Sequence, residues 1–297
     1  MSVEALGDDA LAQAIRSGQR AGQALVDEYY RRCIPIYLDF IGVHWHTGFY
    51  RDDGKPVRPA DQVRMIHHIA DSISLAANER VLDVGCGIGG TPACLARDYQ
   101  VEAVGLTPVR EQRRVAARIV ARAGAAASAR IDLGHAGTLP YSDGCFDAVV
   151  FFESPCHFPD RLAFFEEAFR VLKPGGRIAG EDWLATGVVR DDDSRLLEPV
   201  HRSWAIPALG TGHEYLEHLA AAGFQAGEYV DMQTEMRLEK GFAVSPAQQR
   251  SLSEEIESCR HPLLALTLEG LLALGRAVAA GAFTVGRFRA RKPAAAA

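Results

Sequence analysis

The chain has 297 residues and a mass of 32.2 kDa, and 38 acidic against 32 basic residues give it a formal charge of −6. With 48 % hydrophobic and 24 % charged residues it has the material for a core, which excludes a disordered chain, and its acidic balance excludes nucleic-acid binding by bulk charge. No apolar run approaches the roughly 18 residues of a membrane span, and Met1 to Gly18, with Glu4, Asp8 and Asp9, lacks the apolar stretch of a signal peptide. A cytoplasmic setting without a membrane partner is therefore expected. The six cysteines, at 33, 86, 94, 145, 156 and 259, form no C-x-x-C pair and match no zinc spacing. They read as reduced, mostly buried thiols, and no metal site is expected.

In chain order, Ala10 to Arg32 has helical character until Pro35 interrupts it, and an apolar stretch follows from Ile36 to Ile41. An aromatic loop, His44-Trp45-His46-Thr47-Gly48-Phe49-Tyr50, leads through a polar turn at 51–59 to a helix over Ala60–Leu75. Strands at Arg80–Val84 and Val101–Leu106 then alternate with helices through Leu95 and over Val109–Ala123. A third strand, Cys145–Phe152, precedes a helix at Arg161–Leu172 and a strand from Arg177 to Gly180. Asp191–Asp193 opens a polar loop, and His213–Ala222 is a helix stopped by Gly223. A strand at Glu228–Met232, a Leu- and Ala-rich helix at His261–Ala279 and a strand at Phe283–Ala290 complete the chain before the low-complexity tail Pro293–Ala297. Strands alternating with helices predict an α/β fold, with a mostly parallel sheet covered on both faces.

The strongest motif is Val81-Leu82-Asp83-Val84-Gly85-Cys86-Gly87-Ile88-Gly89-Gly90, a strand entering a glycine turn. Glycines permit positive φ and close approach of a ligand to backbone, and the following helix start offers free N–H groups. A glycine motif alone also fits dinucleotide folds or a plain corner. Three further segments follow in order: Val104-Gly105-Leu106-Thr107-Pro108, His135-Ala136-Gly137-Thr138-Leu139-Pro140, and Leu172-Lys173-Pro174-Gly175-Gly176. Together these motifs resemble the class I S-adenosylmethionine-dependent methyltransferases over roughly residues 28–290. The resemblance implies a Rossmann-like, doubly wound seven-stranded sheet that binds S-adenosylmethionine. It places Gly85 and Gly87 against the methionine part, gives Asp83 the role of orienting the loop or of holding the amino group through water, puts Thr107, Gln112 or backbone at the ribose, and puts His135 and Ala136 at the adenine. Gly105 stands where many relatives carry a ribose-gripping acid, and His135 stands where they carry an Asp.

The Tyr-rich helix followed by Gly-x-x-x-His-x-Gly-aromatic resembles the small-molecule branch with tocopherol, sterol and geranyl diphosphate C-methyltransferases, whose N-terminal helices form a lid. That implies cofactor contacts from Tyr29, Tyr37 and His46. The aromatics equally fit simple packing of helices onto the sheet. Glu153 ends the apolar run Cys145–Phe152, at the sheet edge where open α/β folds keep their active sites. Two preceding Phe residues favour a raised pKa, which suits a base or a cation stabiliser. Capping a helix or holding the lid is the plainer role. His157 is a second candidate base, suited to oxygen methylation. Trp45, Glu181, Trp183, Trp204 and Tyr215 are candidate acceptor contacts. Arg190, Arg195, His201 and Arg202 read either as a solvated loop or as a hold on an anionic acceptor such as a prenyl diphosphate.

The expected organisation is a single domain, with a helical lid over 1–78, a cofactor-binding core over 79–186, and a cap with closing strands over 187–297. The expected reaction is methyl transfer to a small, largely apolar metabolite in natural-product biosynthesis, most simply at an isoprenoid or aromatic carbon. Oxygen or nitrogen methylation, and cofactor binding without methyl transfer, are the alternatives. A monomer and a homo-oligomer both fit.

Overall fold

The computed structural model describes residues 3–18, 22–50, 58–187, 191–242 and 245–295. Most of the turn at 51–59, Arg190 and the end of the alanine tail lie outside them. Seven strands form one sheet: β1 (Arg80–Val84), β2 (Glu102–Thr107), β3 (Ala129–Leu133), β4 (Phe146–Phe152), β5 (Leu172–Ala185), β6 (Gln225–Asp231) and β7 (Phe283–Arg291). Their order is β3-β2-β1-β4-β5-β7-β6, with β7 the antiparallel member. The sequence expectation omits β3. Ala129-Arg130-Ile131-Asp132-Leu133 alternates apolar with charged residues, as an edge strand does, and Arg130 and Asp132 pair with each other at 3.2 Å.

Twelve α-helices are described. Those that matter for the site are α1 (Asp8–Arg16), α2 (Gln23–Phe40), α3 (Pro59–Ser72), α4 (Gly90–Tyr99), α5 (Arg110–Arg122) and α6 (Arg161–Val171). Later come α7 (Asp191–Ser203), α8 (Gly212–Ala221), the short α9 (Gln233–Met236) and α10 (Leu238–Gly241), α11 (Pro246–Ser258) and α12 (Pro262–Ala279). α1 to α5, α7 and α12 cover one sheet face, and α6 and α8 cover the other.

Pro35 does not interrupt the N-terminal helix: it sits inside α2, while the real break lies earlier, where Gly18 adopts φ +66° and ends α1. A prolyl ring removes one helical donor, a cost that buried Tyr29, Cys33 and Tyr37 on the same helix offset. Asp191–Asp193 opens α7 rather than a loop. α12 is long and apolar enough to cross a membrane by length and composition, with a mean hydropathy of 1.5, contrary to the sequence expectation. Within the fold 61 % of it is buried, as a core helix between β7 and the lid.

Strand order reverses between β1 and β4, which is where open α/β sheets bind ligands beyond the carboxyl ends of their strands. The glycine loop after β1 and Glu153 after β4 therefore face each other across that crevice. The segment after β5 is one covering insertion. A second, α9 to α12, sits between β6 and β7 and brings Gly241, Phe242, Leu252, Leu271 and Leu274 over the same crevice.

Candidate active site

Gly85, Gly87 and Gly89 all adopt positive φ (+84°, +50° and +83°), the region that favours glycine. The Gly85 and Cys86 N–H groups both donate to Leu106 O at 2.9 Å, anchoring the turn to β2. Ser154 Oγ donates to Val84 O at 2.6 Å, and a Cβ at Gly85 would lie 2.4 Å from the Ser154 Cβ. The turn thus borders a cleft of about 760 Å³, its open mouth included. Asp83 lines that cleft, is buried, and leaves Oδ2 without a partner, so burial pushes its carboxyl up to about 8. An unpartnered buried carboxylate beside a glycine turn fits a ligand that carries positive charge, as S-adenosylmethionine does.

At the other end of the cleft lies the carboxyl end of β2. Gly105 lies two residues inside the strand, and a Cβ there would meet Cys86 Sγ, Ile131 and Pro92 at 2.7–2.9 Å. The strand-end position belongs to Thr107, fully buried and lining the cleft. Its hydroxyl donates to Gln112 Oε1 at 2.5 Å, which leaves the Gln112 amide N–H₂ for a ligand hydroxyl. His135 and Ala136 do not line the cleft, and His135 is exposed. The facing wall comes instead from α2, through Gln23, Val26 and Asp27. Asp27 accepts from Gln23 Nε2 at 2.7 Å, and burial raises its pKa.

The lid needs a second correction. Tyr29 points into the core, where its hydroxyl shares a 2.7 Å hydrogen bond with Tyr37 and donates to Ser203 O at 3.3 Å. Its neighbour Tyr30, not singled out from sequence, lines the cleft instead. Trp45 stacks on Tyr30 at a centroid distance of 6.4 Å and sits against Gly87. Gln62 of α3 donates to His44 O and His46 O at 2.6 and 2.8 Å, pinning the aromatic loop. His46 Nδ1 lies 2.7 Å from Thr47 O. A carbonyl only accepts, so Nδ1 carries the proton and Nε2 keeps its lone pair, buried and unpartnered. Burial holds this ring neutral, at about 3.

A second cavity of about 1620 Å³, including its open mouth, adjoins the first. Tyr30, Trp45, His46, Glu153 and His157 belong to both walls. Tyr37, Trp183 and Trp204 line only the second, and among the described residues no Lys, Arg or Asp does. Arg195 and Arg202 border a separate groove with Arg16, Glu198 and Glu269, and the His201 ring accepts from Leu209 N at 3.1 Å. A shared basic grip on an anionic acceptor is therefore absent among the described residues, with Arg190 outside them.

Glu153 stands on the partition with φ +45°, a strained backbone for a residue with a side chain. Its Oε1 accepts from Thr47 N at 2.7 Å and from Thr47 Oγ1 at 2.5 Å, so this acid ties down the aromatic loop. Burial raises its carboxyl to about 7 against the opposing pull of those two donors. Trp183 Nε1 comes close to the same carboxylate without reaching hydrogen-bond geometry and has no other partner. His157 Nε2 lies 2.7 Å from the Tyr30 hydroxyl, and burial lowers the imidazole to about 4, leaving it neutral.

Glu181, Asp182 and Trp183 lie inside β5 rather than beyond it, so their side chains alternate between faces. Glu181 is fully buried on the lid side with both oxygens unpartnered. Burial, then the charges of Glu153 and Asp182, push its pKa well up. It lines neither cavity. Asp182 faces the opposite core, accepting from Tyr215 Oη at 2.5 Å. Tyr215 is fully buried there, stacked on Phe288, and so stands outside the acceptor cavity because α8 packs on the far face of the sheet.

The sheet, glycine turn and twin cavities define a class I methyltransferase fold. The family described as "Methyltransferase domain" matches residues 82–180. Tocopherol O-methyltransferase of Arabidopsis thaliana is 30 % identical over 237 residues, covering 74 % of this chain and 68 % of that protein. 24-Methylenesterol C-methyltransferase 2 of Oryza sativa is 29 % identical over 214 residues, or 70 % of this chain. The match spans only 58 % of the rice enzyme's length. The structure of geranyl diphosphate C-methyltransferase from Streptomyces coelicolor superposes with a TM-score of 0.67 at 18 % identity, covering 90 % of this chain and 96 % of that one. The chain belongs to the S-adenosylmethionine-dependent methyltransferases, with sterol and tocopherol enzymes among its relatives.

Proposed function

We propose that this protein methylates a carbon of a small, uncharged and largely apolar acceptor, an alkene or an electron-rich ring. S-adenosylmethionine, when bound, supplies a methyl group made electrophilic by a sulfonium. Asp83, Gly85 and Gly87 hold its amino-acid end, and Thr107 with Gln112 holds its ribose. The observation that carries the proposal is Glu153 on the partition between the two cavities, in apolar surroundings, with Oε2 left over from the lid contact. Adding a methyl group to an alkene or aromatic carbon leaves the acceptor cationic. A carboxylate at that place stabilises the cation and takes the proton whose loss restores the double bond. The faces of Tyr30, Trp45 and Trp183 favour the same positive charge. An acceptor chamber with no described Lys or Arg in its wall argues against a diphosphate.

Transfer of a labelled methyl group across a panel of apolar alkenes, quinols and phenols, with product NMR, tests the reading. Glu153→Gln keeps an acceptor for Thr47 and removes the charge. Its kcat on the true acceptor falls about 10²–10⁴-fold if the carboxylate is base or cation stabiliser, and wild-type turnover removes that role. One observation favours a second reading, oxygen methylation. With Tyr30 Oη donating to neutral His157 Nε2, the phenol oxygen presents its lone pairs to an acceptor hydroxyl. In that case Tyr30→Phe, rather than Glu153→Gln, abolishes turnover, and NMR finds the methyl on oxygen.

A further inference from the structure

We propose that His67, Cys94 and Asp98 form a site for a thiophilic divalent cation, zinc by its donor set, which clips α3 to α4. Cys94 and Asp98 stand four residues apart and share one face of α4, and His67 reaches them from α3. None of the three lines either cavity, so the site is separate from methyl transfer.

Three kinds of donor converge on one point. His67 Nε2 lies 2.8 Å from Asp98 Oδ2, Cys94 Sγ lies 3.3 Å from the same oxygen, and Sγ and Nε2 are 3.9 Å apart. Tetrahedral zinc with ordinary bond lengths places N and O about 3.4 Å apart and sulfur about 3.6 Å from either. Each observed edge is within about 0.6 Å of that triangle. Soft sulfur, imidazole and one carboxylate select zinc over magnesium or calcium. Three protein ligands leave the fourth corner for water.

Arg97 supports the arrangement and competes with it. Its Nε holds Asp98 Oδ1 at 2.6 Å, which orients the carboxylate from behind. Its Nη2 reaches Oδ2 at 2.9 Å, a contact that the largely exposed guanidinium gives up cheaply. On binding, a zinc–sulfur bond replaces the Cys94 S–H bond, and the proton leaves to solvent. Thiolate and carboxylate then balance the two positive charges. The cation joins the helix that opens at the glycine turn to the helix whose Gln62 pins the lid loop.

The test uses the full chain, stripped with chelator and titrated with Co²⁺. Expected is a near-ultraviolet thiolate-to-cobalt band that saturates at one equivalent and disappears when Zn²⁺ is added. Cys94→Ser loses that band, and His67→Gln and Asp98→Asn each weaken cobalt binding by roughly tenfold or more. Zn²⁺ raises the Tm of the wild type by several degrees and leaves that of Cys94→Ser unmoved. The proposal is overturned by a wild type without the band, by a band that survives Cys94→Ser, or by His67→Gln and Asp98→Asn titrating like the wild type.

Discussion

Thr47→Val isolates how the lid tunes the acid beneath it. The substitution keeps the shape and the backbone N–H, which still donates to Glu153 Oε1 at 2.7 Å, and deletes the 2.5 Å hydroxyl contact. A hydrogen bond to a charged group contributes about 1.5–3 kcal/mol. Glu153 borders two open cavities, so the low end applies, and at 1.36 kcal/mol per pH unit that is about one unit. The deleted donor favoured the ionised form, so its loss moves the carboxyl upward, from about 7 to about 8. The acid limb of kcat/KM against pH, measured by labelled-methyl transfer, should rise by about one unit, with the alkaline plateau within about twofold of wild type. A limb that stays in place while the plateau falls would show that Thr47 only positions the lid and that Glu153 is not the titrating group.

Other outcomes follow from the same geometry. Asp83 is mostly protonated at neutral pH because burial holds it at about 8, and a cationic ligand beside it drives the proton off. Calorimetry of S-adenosylmethionine binding at pH 7 in two buffers of different ionisation enthalpy should show release approaching one proton. Buffer-independent heats would refute this. The raised carboxyls of Asp83, Glu153 and Asp182 bind protons more tightly folded than unfolded, so cofactor-free stability is fullest below pH 4 for these groups and declines as pH rises from about 4 to about 8. Denaturant midpoints across that window measure the trend, once acid-sensitive ion pairs elsewhere are matched by an Asp83→Asn control. Gln112→Ala should weaken cofactor binding by about 1–2 kcal/mol, a five- to thirtyfold rise in Kd, and should lower Tm as well because the buried Thr107 hydroxyl loses its acceptor. Gly85→Ala should lose cofactor binding and stability together, because φ +84° and a Cβ 2.4 Å from Ser154 must both be accommodated.

The sequence made the sheet's central strands legible because buried parallel strands are short, continuous apolar runs bounded by glycine and charge. Arg80–Val84 matches β1 end to end. What it hid was rotation and distance. Tyr29 and Tyr30 are adjacent in sequence, and only the phase of α2 decides that one enters the core and the other the cleft. Extending β5 to Ala185 split Glu181 from Asp182, since strand residues alternate faces. His67 and Cys94 are 27 residues apart, with no spacing rule to join them, because helix packing brings them together.

Glu153 shows why two readings of one residue need not compete. Holding the lid and carrying charge at the reaction centre were opposed roles in the sequence. In the structure the Thr47 contacts use Oε1 alone, which leaves Oε2 for the role proposed at the reaction centre. The two roles also favour the same protonation state. Two donors on Oε1 bind an anion more strongly than a neutral acid, so the lid is tightest when the carboxylate is charged. A closed lid in turn excludes water, which raises the effect of that charge on a cation in the chamber. Removing the charge should therefore loosen the loop from Val43 to Tyr50 as well as slow the chemistry. Hydrogen exchange at the Thr47 amide in Glu153→Gln, with no acceptor present, separates the two effects, since only the first is visible there.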